Sequence, residues 1–190
     1  DALSIEKAHV VGVSMGGMIA QIVAGQYPER VLSLTSIMST SGRRSLPGPD
    51  FKLSLHMARR PMKGSAKAMQ DYSMDTYRLI GSPAYPPVDE DLRAKVVASY
   101  ERSFYPQGSR RQMAAIMASG DRVALLKNIT VPTLVIHGKA DPLVPVSGGI
   151  DTALHVDGSR LELIEGMGHD LPEALMPRMA SLIGEHASGV

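Results

Sequence analysis

Apolar, β-branched runs recur at four places along the chain, each closed by turn-forming residues. Residues 8–13 (Ala-His-Val-Val-Gly-Val) and 31–38 (Val-Leu-Ser-Leu-Thr-Ser-Ile-Met) predict buried parallel strands. Strand character returns at 131–137 and at 160–165. Between the first two runs, residues 15–26 predict a helix, with Met18, Ile19, Ile22 and Val23 on one apolar stripe and Pro28 stopping it. Residues 171–186 predict the last helix, opened by a capping box of Asp170 and Glu173.

The pattern changes in the middle. Residues 43–64 carry Pro47, Pro49 and Pro61, leaving room for short helical pieces only. Helical spacing resumes at 65–80 (Met69, Tyr72, Tyr77, Ile80), at 89–105 (Leu92, Val96, Val97, Tyr100, Phe104) and at 109–119 (Met113, Ile116, Met117), with a proline-rich loop at 82–88. No strand pattern interrupts this stretch. The order is therefore strand, helix, strand, helical block, strand, helix, strand, helix: an α/β fold with a parallel sheet and one helical insertion. This divides the chain into core at 1–42, insertion at 43–120 and core at 121–190.

Composition narrows the function classes. A net charge of +1, with basic pairs Arg43-Arg44, Arg59-Arg60 and Arg110-Arg111 scattered, gives no clustered surface for nucleic acid. No apolar run approaches the roughly 20 residues that span a bilayer. The absence of cysteine excludes disulfides and thiolate catalysis. The expectation is a cytoplasmic protein without nucleic-acid or membrane partners.

The chemistry starts at Gly12-Val13-Ser14-Met15-Gly16, a G-x-S-x-G between a strand and a helix. A sharp strand-to-helix turn there lifts the serine hydroxyl above the sheet, and Gly12 and Gly16 are expected to be glycine because larger side chains would collide. The N–H of Met15, at the helix start, is left to stabilise an oxyanion. Neither a dinucleotide G-x-G-x-x-G nor a P-loop ending is present. A serine nucleophile needs a histidine base, and the histidine needs an acid. Behind the third strand comes Gly138-Lys139-Ala140-Asp141-Pro142, and behind the fourth Gly166-Met167-Gly168-His169. Both fall at carboxyl ends of strands, where open parallel sheets bind ligands. The triad is thus Ser14, Asp141 and His169. His137 reads as a packed or backbone-bonded histidine, and His9 lies at the wrong end of its strand. His155 and His186 read as exposed, and His56 falls in the insertion. Asp170 is explained by capping, and Asp151 and Asp157 lie outside strand-end loops. The loop Ser39-Thr40-Ser41-Gly42 offers no competing acid.

These segments, together with Pro28-Glu29-Arg30-Val31 and Pro132-Thr133-Leu134-Val135-Ile136-His137, resemble the α/β-hydrolase superfamily. Within it, Ser14-Met15-Gly16-Gly17-Met18 is similar to small carboxylesterases related to 3-oxoadipate enol-lactonase and anthracycline methylesterases. The resemblance implies that residues 43–120 form a helical cap and that the substrate is a small-molecule ester or lactone. It implies hydrolysis through an acyl-enzyme, with no metal or organic cofactor. A perhydrolase or carbon–carbon bond hydrolase would use the same triad, and a binding protein could keep the elbow without activity. Six methionines of the insertion (Met57, Met62, Met69, Met74, Met113, Met117) and its aromatic residues read mainly as packing, with two or three lining a pocket. The fold also implies a second oxyanion N–H from an earlier loop, which the thirteen residues before Ser14 do not contain. The expectation is that this is the C-terminal part of a hydrolase with little activity alone. The edge at 8–13 would then be covered by a missing N-terminal segment or another chain.

Overall fold

The computed structural model describes residues 2–61 and 64–189. Four strands form one all-parallel sheet in the order β1-β2-β3-β4: Ala8–Val13, Val31–Ile37, Thr133–Gly138 and Arg160–Ile164. Helix α1 (Met15–Gln26) joins β1 to β2. The insertion between β2 and β3 carries α2 (Phe51–Ala58), α3 (Ala66–Ile80), α4 (Asp89–Arg102) and α5 (Pro106–Ser119), followed by the short α6 (Val123–Leu126). Helix α7 (Ser147–His155) links β3 to β4, and α8 (Met176–Ser188) ends the fold.

The alternation of strand side chains, with one register shift between Ala8 and His9 that brings Val31 onto the face of Leu34, separates two cores. On one face Ile37, Leu134, Ile136 and Ile164 pack with Met179 and Leu182 of α8. On the other, Val31 and Leu34 pack with Ala20 and Ala24 of α1 and Leu126 of α6. The insertion has a small core of its own, Met74 with Leu92 and Val96. Its exit is fastened by Arg122, a buried side chain whose guanidinium donates to Thr40 O, Gly120 O and Gln21 Oε1.

Several expectations are corrected. Strand β1, expected to be buried, has Val11 46% exposed; it forms the sheet edge expected for this chain at 8–13. The buried stripe of α1 is Gly17, Met18, Ala20, Gln21 and Ala24, whereas Ile19 faces out and Ile22 and Val23 are half-buried. Small residues face the sheet because the helix lies close: a Cβ on Gly17 would meet Ser39 Cβ at 2.6 Å. Helix α5 buries no residue, and Met113, Met117 and Phe104 are exposed. Asp170 caps no helix. Pro172 takes an extended conformation, a single 3₁₀ turn covers Glu173–Leu175, and α8 begins only at Met176 with Pro177 in its first turn. His155 and His186 are half-buried, bonded to Asp151 O and Leu34 O. His137 is fully buried and donates from Nε2 to Val144 O, as a packed histidine should. Asp151 is also buried, where it takes hydrogen bonds from Ser41 and Arg43. Met62 lies outside the described residues.

Candidate active site

The turn after β1 holds Ser14 at φ 54°, ψ −119°, a conformation that L-residues rarely take. Its N–H still completes the ladder to Ile37 O at 2.8 Å, and its carbonyl accepts from Met18 N at 3.2 Å. The turn therefore ends the strand and starts α1 in one residue. Gly12 is required, because a Cβ there would collide with the Gly16 carbonyl. Gly16 is not: a Cβ on it would meet nothing within 4 Å, which corrects the symmetric expectation. The collision is one-sided because Gly12 faces the backbone of residues 16 and 17, whereas Gly16 faces open space. Met15 is the first residue of α1, so its N–H belongs to the first helical turn, whose donors lack intrahelical acceptors.

Asp141 and His169 arrive from neighbouring strand ends. Gly138 lets the loop after β4 cross close above β3, since a Cβ there would collide with Met167 O. His169 Nδ1 lies 2.7 Å from Asp141 Oδ2, and His169 Nε2 lies 2.9 Å from Ser14 Oγ. The other carboxylate oxygen, Asp141 Oδ1, accepts from Leu143 N at 2.9 Å and Val144 N at 2.8 Å. Asp141 and His169 are both buried. Burial opposes ionisation of Asp141, but hydrogen bonding from His137 and His169, the charge of His169 and the Val144 N–H outweigh it. The carboxyl is held below the usual carboxylate range. The three residues singled out from sequence thus stand in one hydrogen-bonded line.

That line opens into a cavity of about 500 Å³. Its walls include Val13, Met38, Tyr77, Tyr85, Leu92 and Leu171, and Asp91, Lys95, Asp170 and Glu173 also line it. Of the insertion residues read as pocket candidates, Tyr77 reaches this cavity. Met57, Tyr72 and Met113 line a separate one of about 460 Å³, and Tyr100, Phe104 and Tyr105 a third. Met69 and Met74 are buried. Met38 and Tyr85 are not marked by the sequence: one ends a buried strand and the other lies in the proline-rich loop, and neither position has a spacing that signals a pocket. Among the described residues, no three His, Cys, Asp or Glu groups come together as a metal site. No helix there is long and apolar enough to cross a membrane.

Residues 1–62 match the family described as alpha/beta hydrolase fold. Rhodomycin D methylesterase DauP of Streptomyces sp. (strain C5) is 29% identical over 208 residues, covering 98% of this chain and 68% of the relative. The 2-hydroxy-6-oxo-6-phenylhexa-2,4-dienoate hydrolase of Comamonas testosteroni is 28% identical, covering 89% of this chain and 58% of the relative. Among solved structures, a point mutant of the meta-cleavage product hydrolase CumD superposes with a TM-score of 0.77 at 25% identity, over all of this chain and 68% of that one. By topology, by the match of its first 62 residues and by its relatives, the chain has the α/β-hydrolase fold and is similar to hydrolases of that fold.

Proposed function

We propose that the chain is a serine esterase acting on carboxylic esters or lactones, with Ser14 as nucleophile, His169 as base and Asp141 as the acid that orients the base. The observation that carries this reading is the His169 imidazole, which lies within hydrogen-bond distance of Ser14 Oγ on one side and Asp141 Oδ2 on the other. Ser14 Oγ attacks the ester carbonyl while His169 Nε2 takes its proton. Asp141 offsets the imidazolium charge, and the Met15 N–H donates to the oxyanion. His169 then protonates the leaving alkoxide. A water molecule repeats both steps on the acyl-enzyme, releasing the acid and restoring Ser14. No step draws on a metal or organic cofactor. Residues 43–120 serve as the cap, since α3, α4 and the 82–88 loop wall the cavity in front of Ser14.

The similarity to a methylesterase supports an ester whose alcohol part is small and whose acyl part fills an apolar cavity. The similarity to the dienoate hydrolase favours a second reading. That relative's substrate, as named, has no ester, so its hydrolysis breaks a carbon–carbon bond. The charges around this cavity argue for the ester. Asp91, Asp170 and Glu173 outnumber Lys95, an arrangement that repels a carboxylate-bearing dienoate.

A fluorophosphonate probe should label the protein once, at Ser14, and Ser14→Ala should abolish both labelling and hydrolysis of a methyl ester. Labelling that persists in Ser14→Ala, or cleavage of the dienoate in preference to esters, would overturn the assignment.

A further inference from the structure

The loop that carries His169 is held from two sides, and only one belongs to the sheet. On the sheet side, Lys139 N donates to Ile164 O at 3.0 Å and Ala140 N to Met167 O at 3.0 Å. From residue 168 onward the grip comes from the end of α3. His169 N donates to Ile80 O at 2.7 Å. Gly168 N donates to Ser82 Oγ at 2.8 Å, and the Ser82 hydroxyl in turn donates to Asp170 Oδ1. Ser82 is 2% exposed, so water does not replace these bonds readily. The fit is tight: a Cβ on Gly168 would collide with the Gly81 carbonyl.

We propose that Ser82, a residue of the helical insertion, is a positioning residue for His169, clamping the residues on both sides of it. This rests on His169 being the base for Ser14. One hydroxyl accepts from residue 168 and donates to residue 170, and a main-chain bond fixes residue 169 between them. Three consecutive positions of the loop are therefore referenced to the end of α3 rather than to the sheet. The chain Gly168 N–H, Ser82 O–H, Asp170 carboxylate runs in one direction and ends on a charge, the arrangement in which hydrogen bonds strengthen one another. Without it, the imidazole keeps Asp141 as an anchor at Nδ1 but loses the frame that aims Nε2 at Ser14 Oγ. The insertion thereby does two jobs. It walls the cavity, and it sets the aim of the base. Tyr77, whose carbonyl accepts from Gly81 N at 2.8 Å, also lines the cavity. A ligand pressing on Tyr77 therefore bears on the same helix end that holds His169.

The test uses the full chain as wild type, Ser82→Ala and Asp170→Ala. Two readouts are followed: the rate of fluorophosphonate labelling, and the low-field Nδ1–H proton resonance of His169, assigned by its loss in His169→Gln. Ser82→Ala should slow labelling about 10- to 100-fold, the scale of a misplacement near 1 Å. It should also broaden or remove the resonance while the circular dichroism spectrum stays unchanged. Asp170→Ala, which cuts one arm and leaves the Gly168 and His169 main-chain bonds in place, should slow labelling less, about 3- to 10-fold, as for a partial misplacement. It decides the question if Ser82→Ala does not fold. Wild-type labelling rates and an unchanged resonance in the folded variants would overturn the proposal. If wild-type protein is not labelled, the esterase reading fails. The resonance alone then reports whether Ser82 holds the imidazole, its loss supporting the proposal and its persistence overturning it.

Discussion

On the proposed triad, replacing Asp141 with asparagine isolates the charge of the acid while keeping its shape, and the geometry dictates how the amide must sit. Oδ1 already accepts from Leu143 N at 2.9 Å and Val144 N at 2.8 Å, so the asparagine must keep its carbonyl oxygen there. Its NH₂ then faces His169 Nδ1, which accepts a bond only when bare. The ring proton moves to Nε2, pointing at Ser14 Oγ, and the imidazole can no longer take the serine proton. The lost charge adds to this. Opposite charges about 4 Å apart at an effective dielectric near 20 interact by about 4 kcal/mol. At about 1.4 kcal/mol per decade that alone is nearly three orders of magnitude in rate. Asp141→Asn should therefore lower kcat for a short p-nitrophenyl ester by about 10³–10⁴. KM should stay within about threefold, because Asp141 sits behind the imidazole, away from the substrate. More than a tenth of wild-type kcat in Asp141→Asn would refute this account of the triad.

The same substitution carries a stability signature. Asp141 is held below the ordinary carboxylate range in the folded protein, so its ionisation stabilises the fold above the unfolded carboxyl value near about 4. That contribution is lost as pH falls through the folded value. The gap in Tm between wild type and Asp141→Asn should be widest near pH 7 and should narrow below about pH 4. A gap that stays constant across this range would show that the carboxylate is not stabilised in the fold. The elbow and the exit of the insertion offer two further tests by urea denaturation. Gly12→Ala forces a Cβ into the Gly16 carbonyl and should cost about 2 kcal/mol or more, whereas Gly16→Ala meets open space in a helix and should change stability by no more than about 1 kcal/mol. Equal losses at the two positions would contradict the one-sided packing of the turn. Arg122→Met strands the buried Gln21 side-chain oxygen and the part-buried carbonyl oxygens of Thr40 and Gly120 and should cost about 2–3 kcal/mol; a neutral result would mean that water reaches them.

The elements that carry the proposed triad are legible because each has a local signature. Buried parallel strands show as continuous apolar runs, and the loops behind β3 and β4 carry Asp141 and His169 between glycines and prolines. What escapes the sequence depends on distance or on shape. Asp170 reads as a helix cap because Glu173 stands three residues on. Its actual partner, Ser82, lies 88 residues away, and no local spacing announces that. The inward face of α1 is hidden because hydrophobicity marks Ile19 and Ile22, while contact with a sheet selects for smallness at Gly17, Ala20 and Ala24. Helix α5 has apolar spacing yet buries nothing, so its periodicity records an amphipathic helix and not a core contact. Tyr85 and Met38 line the cavity by virtue of where β2 ends and how the proline loop folds back, which periodicity does not encode.

Backbone strain gives an independent pointer to the same place. Ser4, Ser14 and Met38 are the non-glycine residues with positive φ among those described, and Ser14 and Met38 stand at the ends of adjacent strands. Both line the cavity. A positive φ at such residues costs on the order of 1–3 kcal/mol, and it persists only where surrounding structure fixes it. Here the fixing bonds are ladder bonds, Ser14 N to Ile37 O at 2.8 Å and Met38 N to Ile136 O at 2.9 Å. Each strand thus passes its last hydrogen bond to its neighbour at the residue where the chain turns away. The turn at Ser14 lifts its hydroxyl toward His169, and the turn at Met38 sets a thioether against the cavity instead of continuing the strand. A relaxed backbone at either position would run the strand on and close the space above the sheet. The strain and the opening in front of Ser14 therefore have one cause, the simultaneous end of two neighbouring parallel strands.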